Sequence, residues 1–302
     1  MKQPPFLSPG DTIGILTTGN WISRSDVAKA ERIIEGWGLK TVLGETIGAH
    51  KGEFAGNDEL RLRDMQKMLN NDKIKAILHA EGGHGAVRII DRLDFSRFEE
   101  KPKWIAGYSD VTNFHSYIHA NFGIQTIHST MVSDLLLPEG YIKSSWESLR
   151  KALMGEDLTT KWRGDELNRE GEAEGVLVGG NLSLISGFIG TRSEFSTNGK
   201  ILFLECTREH KFRTEAFLYH LERAGRLEKL RGLIVGRYTH MKEDDPPFGM
   251  KVYEIFARLT EKYTIPVAYH YPAGHEKRHM AMIFGRKIRL TVGQDNSIIE
   301  YL

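Results

Sequence analysis

A single cysteine, Cys206, stands in the 302 residues, so the chain can form no internal disulfide and cannot alone build a thiolate metal site. The ordinary role of such a residue is that of a small buried apolar group. Charge of one sign is also lacking. There are 41 basic residues against 40 acidic ones, interspersed rather than clustered, which leaves no positive excess for a phosphate backbone and argues against nucleic acid as a partner. Long hydrophobic runs are missing too. The opening residues, Met1-Lys2-Gln3-Pro4-Pro5-Phe6, lack the apolar stretch of a secretion signal, and no later segment approaches the roughly 20 apolar residues that cross a bilayer. The expectation is a cytoplasmic protein without a membrane partner.

What the chain does contain is length enough for two cores. Its first half alternates short apolar runs with helical patterns. Thr12 to Thr17 reads as a strand, and Ser23 with Asp26 opens a helix carrying Val27, Ala30, Ile33, Ile34 and Trp37. A helix over 58–70 sets Leu62, Met65 and Leu69 on one side and feeds a strand from Ile74 to Ala80. A further strand, Trp104 to Gly107, precedes a helix whose face is Val111, Phe114, Ile118 and Phe122, stopped by Gly123. This order predicts an α/β fold with a largely parallel sheet covered on both faces, and ligands on such sheets gather at the carboxyl ends of the strands.

From about Pro138 to Glu174 the pattern turns polar, with one helical stretch around Trp146 to Leu153, and reads as a connection. The predicted division is 1–155, a linker over 156–173, and a strand-rich α/β domain over 174–302. Strands are expected at Gly175–Val178, Ile201–Leu204, Leu233–Val235, Val267–Tyr271 and Lys287–Val292, with a helix presenting Phe217, Leu221 and Ala224. Gly179-Gly180-Asn181-Leu182 reads as a tight loop where the backbone passes close to another part of the molecule.

Ser109, in Gly107-Tyr108-Ser109-Asp110, sits where an apolar strand turns into a helix. A hydroxyl on such a turn is pushed out of the sheet beside the N–H groups that open the helix, which suits a nucleophile; a plain N-cap occupies the same position. A serine nucleophile needs a base and a carboxylate that fixes the base's tautomer. Among twelve histidines, His275 follows the apolar run before Pro272-Ala273-Gly274, and Glu205 terminates Ile201-Leu202-Phe203-Leu204. Alone, the first reads equally as a surface histidine and the second as a strand-end acid turned to water. Together the three follow apolar strands in the order Ser, Glu, His, one of the orders such triads take.

Gly82-Gly83-His84-Gly85, Gly107-Tyr108-Ser109-Asp110, Gly179-Gly180-Asn181-Leu182, Ile201 to Glu205, and Pro272-Ala273-Gly274-His275 resemble, in order and approximate spacing, the blocks of the LD-carboxypeptidase family of serine peptidases, which includes the microcin C immunity peptidases. The resemblance runs from about residue 8 to 292. It implies a Rossmann-like, doubly wound amino-terminal domain carrying Ser109 as nucleophile, and a carboxyl-terminal domain carrying Glu205 as acid and His275 as general base. It further implies an oxyanion held by the backbone N–H groups of Gly83 and Asp110, no cofactor or metal, a homodimer, and a cell-wall tetrapeptide cut before its terminal D-alanine during wall-peptide recycling. Glu81, His84 and Asn181 are expected at the substrate. Family members often carry arginine and tyrosine where this chain has Glu81 and His84, which leaves charge pairing to Arg88 or Arg208.

Other readings come from other residues. An immunity-type peptidase cutting an aminoacyl-nucleotide amide would use the same chemistry. His115 and His119, at i and i+4 on one helix, have a spacing that can grip zinc, although no glutamate follows His115. The glycine cluster at 82–85 could serve as a phosphate turn, but it lacks the full fingerprint.

Overall fold

The computed structural model describes residues 1–136 and 142–302. The first strand, β1 (Thr12–Leu16), leads to α1 (Arg24–Gly36), which Ser23 caps by accepting the Asp26 N–H at 3.1 Å. There follow β2 (Lys40–Leu43), α2 (Asp58–Asn70), β3 (Ile74–His79), α3 (Ser96–Glu100), β4 (Trp104–Gly107), α4 (Thr112–Asn121) and β5 (Thr126–His128). The strands lie in the order β2-β1-β3-β4-β5, all parallel. This is a doubly wound sheet whose order reverses between β1 and β3, so the loops after β1, β3 and β4 open on one crevice. Helices cover both faces: Val27, Ala30 and Ile34 of α1 pack in one core, and Met65, Met68 and Leu69 of α2 in the other.

Helix α5 (Ile142–Met154) belongs to this domain, because Trp146, Leu149, Ala152 and Leu153 join the core beside α1. The remaining elements are β6 (Thr160–Arg163), β7 (Gly171–Asn181), α6 (Leu182–Gly187), β8 (Lys200–Thr207), α7 (Lys211–Arg223), β9 (Gly232–Thr239), α8 (Val252–Thr260), β10 (Val267–Ala268), β11 (Met282–Phe284), β12 (Lys287–Val292) and β13 (Asn296–Tyr301). All of these strands but β11 form a second sheet, β10-β9-β8-β7-β12-β13-β6, parallel from β7 to β10 and antiparallel beyond. No helix among the described residues is long and apolar enough to cross a membrane.

Several sequence expectations need correction. The polar segment read as a connection begins with residues 138–141, which lie outside the described residues. Its continuation over 156–173 is not a bare linker, since β6 pairs with β13 at the sheet edge and Trp162 donates its indole N–H to the Tyr269 carbonyl at 2.8 Å. Its alternation of buried Thr160 and Trp162 with exposed Lys161 and Arg163 is the period of an edge strand, masked by polar residue types. Strand Val267–Tyr271 ends already at Ala268. The division at residue 174 is crossed the other way as well: β11 pairs antiparallel with β5 and completes the first sheet.

Gly179 to Asn181 is the end of β7 rather than a loop, yet it does pass close to the other domain. Gly180 has φ +139°, and a Cβ there would lie 2.7 Å from Thr112 Oγ1, while the Asn181 N–H donates to that same hydroxyl at 3.2 Å. The second sheet therefore abuts the start of α4, three residues past Ser109.

Candidate active site

Ser109 lies between β4 and α4 with φ +59°, in the left-handed region that side chains other than glycine enter at a cost. The flanking elements are buried, so the turn is held from both sides and presents the hydroxyl outward. Gly82, on the loop after β3, packs on it: a Cβ at Gly82 would lie 3.0 Å from Ser109 Cβ and 3.2 Å from its Oγ. A side chain there would have to push Ser109 or Met131 aside by a few tenths of an ångström, so glycine suits the close approach.

The three residues singled out in the sequence converge. His275 Nδ1 lies 2.8 Å from Glu205 Oε2, and its Nε2 lies 3.0 Å from Ser109 Oγ. A carboxylate only accepts, so Nδ1 carries the proton and Nε2 is free to accept from the serine hydroxyl. Glu205 is fully buried near the end of β8, its other oxygen receiving the Asn181 amide at 3.1 Å. The His275 carbonyl accepts from Thr239 Oγ1 at 2.9 Å, and the Tyr108 ring meets the imidazole in a T-shaped contact, with centroids 4.9 Å apart. Tyr108 is itself tied to Asp134 by its hydroxyl at 3.0 Å. Burial works against a charged His275, but the charge of Glu205 and the hydrogen bond to it outweigh burial and hold the ring's pKa above the usual histidine value.

Asp110 has two places in the site. Its buried side chain accepts from the Ala86 N–H at 2.9 Å and from the Asn113 amide at 3.0 Å, tying the glycine turn to the nucleophile turn. Burial pushes this carboxyl up to about 7, against the pull of the Ala86 hydrogen bond. Its backbone N–H, like that of Gly83, finds no acceptor among the described residues.

The expected substrate residues fall differently. Glu81 is half-buried beside the glycine turn, its Oε1 accepting from the Gly82 N–H at 2.9 Å, and burial raises its pKa. His84 is exposed and leans toward Phe54 at 6.5 Å. Asn181 is engaged within the protein: its amide donates to Glu205 at 3.1 Å, and its carbonyl oxygen accepts from Ser183 Oγ and the Leu184 N–H. It thereby holds the acid in place. Arg88 lies over the Phe54 ring and 3.7 Å from Asp58, whereas Arg208 is exposed just past Glu205, within electrostatic reach of His275. The contacts of Asn181 with Glu205 and of the Asp110 side chain with Ala86 carry no short-range sequence signal, because each spans 24 residues.

The other sequence readings lose their geometry. His115 Nε2 meets the Gly107 carbonyl at 3.0 Å and His119 Nε2 meets Thr126 Oγ1 at 3.1 Å, so the two rings face different protein groups. No group of three potential metal-binding side chains occurs among the described residues. The glycine cluster opens a three-residue 3-10 turn, Ala86–Arg88, not the long helix whose N-terminus holds a phosphate.

Behind the serine and histidine lies a buried histidine cluster at the domain junction. His128 is 4.9 Å from His279 and 6.1 Å from His115, packed with Phe203 and Phe284. Burial lowers every ring, His115 and His279 to about 4, and also lowers nearby His79, packed on Phe114, to about 3. A folded pKa below the unfolded value of about 6.5 means that the unfolded chain binds more protons in acid, so this stability is present above pH 6.5 and is lost as pH falls. Between pH 6.5 and 5 each of these three rings costs about 2 kcal/mol. The melting temperature is expected to drop steeply from pH 7.5 to 5; scanning calorimetry showing equal values at both would contradict the assignment.

A buried carboxylate, an imidazole and a serine on a strained strand-to-helix turn, linked in series at the mouth of a doubly wound sheet, are the parts of a hydrolase that attacks acyl carbonyls with a hydroxyl. Comparison with known proteins agrees. The LD-carboxypeptidase N-terminal domain model matches residues 13–129, and the LD-carboxypeptidase C-terminal domain model matches residues 174–290. The chain belongs to the LD-carboxypeptidase family and is a serine-type carboxypeptidase. It is 29% identical over 300 residues to a Bacillus subtilis protein named a probable murein peptide carboxypeptidase, covering 99% of this chain and 94% of that one. The crystal structure of muramoyltetrapeptide carboxypeptidase from Oxalobacter formigenes superposes with a TM-score of 0.86 at 25% identity, over 96% of this chain and 98% of that one. The microcin C7 self-immunity protein MccF, solved with adenosine monophosphate, shares the fold at 0.86 and 21% identity, over 98% of each chain.

Proposed function

We propose that this protein removes the terminal D-alanine from murein tetrapeptides through an acyl-enzyme, with Ser109 as nucleophile, His275 as general base and Glu205 as the acid that orients it. The observation that carries the reading is the continuous chain Glu205–His275–Ser109 at 2.8 and 3.0 Å. As the hydroxyl attacks the carbonyl, His275 takes its proton at Nε2; the imidazolium, stabilised by Glu205, then protonates the leaving amine. Water enters by the same route in reverse and releases the shortened peptide. The unengaged N–H groups of Gly83 and Asp110 are the donors proposed for the oxyanion, each worth about 3 kcal/mol in comparable enzymes. Arg208 supplies the cation for the carboxylate of the departing residue. The reading puts the reaction in the cytoplasm, on peptides recycled from the wall, and family resemblance points to a homodimer.

The likeness to MccF favours a second reading, cleavage of an amide between an amino acid and a modified nucleotide. One comparison separates them. Mass spectrometry of a purified tetrapeptide after incubation should show loss of one alanine, with an aminoacyl sulfamoyl adenosine left intact; the opposite pattern would replace the first reading with the second.

A further inference from the structure

We propose that Asp134 is a positioning residue for the reaction: tied to Tyr108, it supports the His275 imidazole from the first domain and balances the charge that the ring gains as Ser109 is deprotonated. The inference rests on the peptidase reading above and adds a second carboxylate to it. Tyr108, the residue before the nucleophile, joins the two groups. Its ring packs on the imidazole, centroids 4.9 Å apart, and its hydroxyl donates to Asp134 Oδ1 at 3.0 Å. Burial, reinforced by the charge of Asp134, raises the Tyr108 pKa well above the usual phenol value, so the hydroxyl keeps its proton and stays a donor. The other Asp134 oxygen accepts from Thr130 Oγ1 at 2.8 Å and from the Met131 N–H at 2.9 Å. Three donors thus converge on two oxygens, a setting that suits a carboxylate, which only accepts. The Asp134 N–H donates back to the Met131 carbonyl at 3.2 Å, so the group is fixed before a substrate arrives.

The ring therefore has a carboxylate on each side of the domain junction. Glu205, on the second domain, meets Nδ1 directly, whereas Asp134 stands on the turn Val132–Leu136 after β5 of the first. Burial disfavours the charged ring; Glu205 favours it by its charge and its hydrogen bond, Asp134 adds to that, and Arg208 opposes it. Glu81, on the glycine turn, also attracts it, while His128 and His279, packed behind, are kept neutral by burial. The imidazolium exists only between attack on the carbonyl and departure of the amine, so a carboxylate fixed beside it stabilises the transition state more than the resting ring.

Asp134→Asn tests the charge and can keep the contacts, since the amide oxygen still accepts from Thr130 and Met131 and the amide NH2 can donate to the Tyr108 oxygen. The acid limb of kcat/KM should move to lower pH. The His275 titration, followed by NMR in the substrate-free protein and assigned with His275→Gln, should move with it. Above the limb, kcat should fall about 5- to 10-fold, the effect of one partly screened charge on the imidazolium. A residue that merely stiffened its own turn would lower kcat and leave both titrations in place, and that result overturns the proposal. Tyr108→Phe keeps the ring and the charge but releases the carboxylate, so kcat should fall while the titration stays near the parental one. An unchanged kcat there, or a titration shift as large as that of Asp134→Asn, also overturns it. Should Asp134→Asn not fold, Asp134→Ser takes its place under the same two outcomes. The NMR titration needs no turnover: a wild-type protein that cuts no tetrapeptide would end the peptidase reading, and the link between Asp134 and the ring would still be decided by the shift.

Discussion

Ser109→Ala should lower kcat by about a million-fold, to the residue of rate that backbone donors and binding alone provide. Among the described residues the Glu205–His275 pair meets this one hydroxyl, so no neighbour stands ready to replace the lost oxygen. The variant should fold as the parent does, because alanine keeps the Cβ that packs beneath Gly82. Ser109→Gly separates chemistry from strain. It should be equally inactive, yet it relieves the left-handed backbone at φ +59°, a gain of about 1 kcal/mol that appears as a higher melting temperature. Single-turnover assays and thermal melts on the three proteins check both halves. Turnover near the parental rate in purified Ser109→Ala would end the nucleophile assignment.

Glu205→Gln is the second large effect, about 10⁴-fold in kcat with little change in KM. An amide in that position no longer compels the proton onto Nδ1, so His275 loses the tautomer in which Nε2 accepts from the hydroxyl. The same substitution alters the pH profile. In the parent, Glu205 holds the His275 pKa above 6.5, so kcat/KM should fall as pH drops through that raised value, where the imidazolium can no longer take a proton. Without the carboxylate, burial is left to dominate, and the acid limb of the residual activity should move to lower pH. A limb that stays in place, or a flat parental profile from pH 5 to 8, would contradict the role of Glu205.

How much of this was legible from the residues depends on the range of the signal. The helix over 58–70 and the strand Lys287–Val292 are local patterns and appear as expected. Ser109, Glu205 and His275 each end an apolar run, and their convergence followed from three local cues combined with the order of the blocks. Residues whose meaning lies in a distant partner gave no such cue. Asn181 looked like a loop residue because nothing nearby shows that β7 runs on to it, with Glu205 across the adjacent strand. Strand β6 was hidden by its own composition, since an edge strand needs only half of its residues to be apolar and Thr160 fills a buried place with a hydroxyl. The short β11 could not be assigned to the first sheet without knowing that the chain returns there.

That return has a mechanical consequence. Seven residues after His275 the chain is stitched into the neighbouring domain's outer rung, so the imidazole hangs on a short tether anchored at both ends: one end in the second sheet through Thr239, the other in the first through Met282. Two lobes sewn together beside their reacting atoms cannot gape as freely hinged jaws do. The ring is thus kept in register with the hydroxyl before any peptide arrives, and a fragment cut cleanly at the boundary between lobes would strip one sheet of its rim.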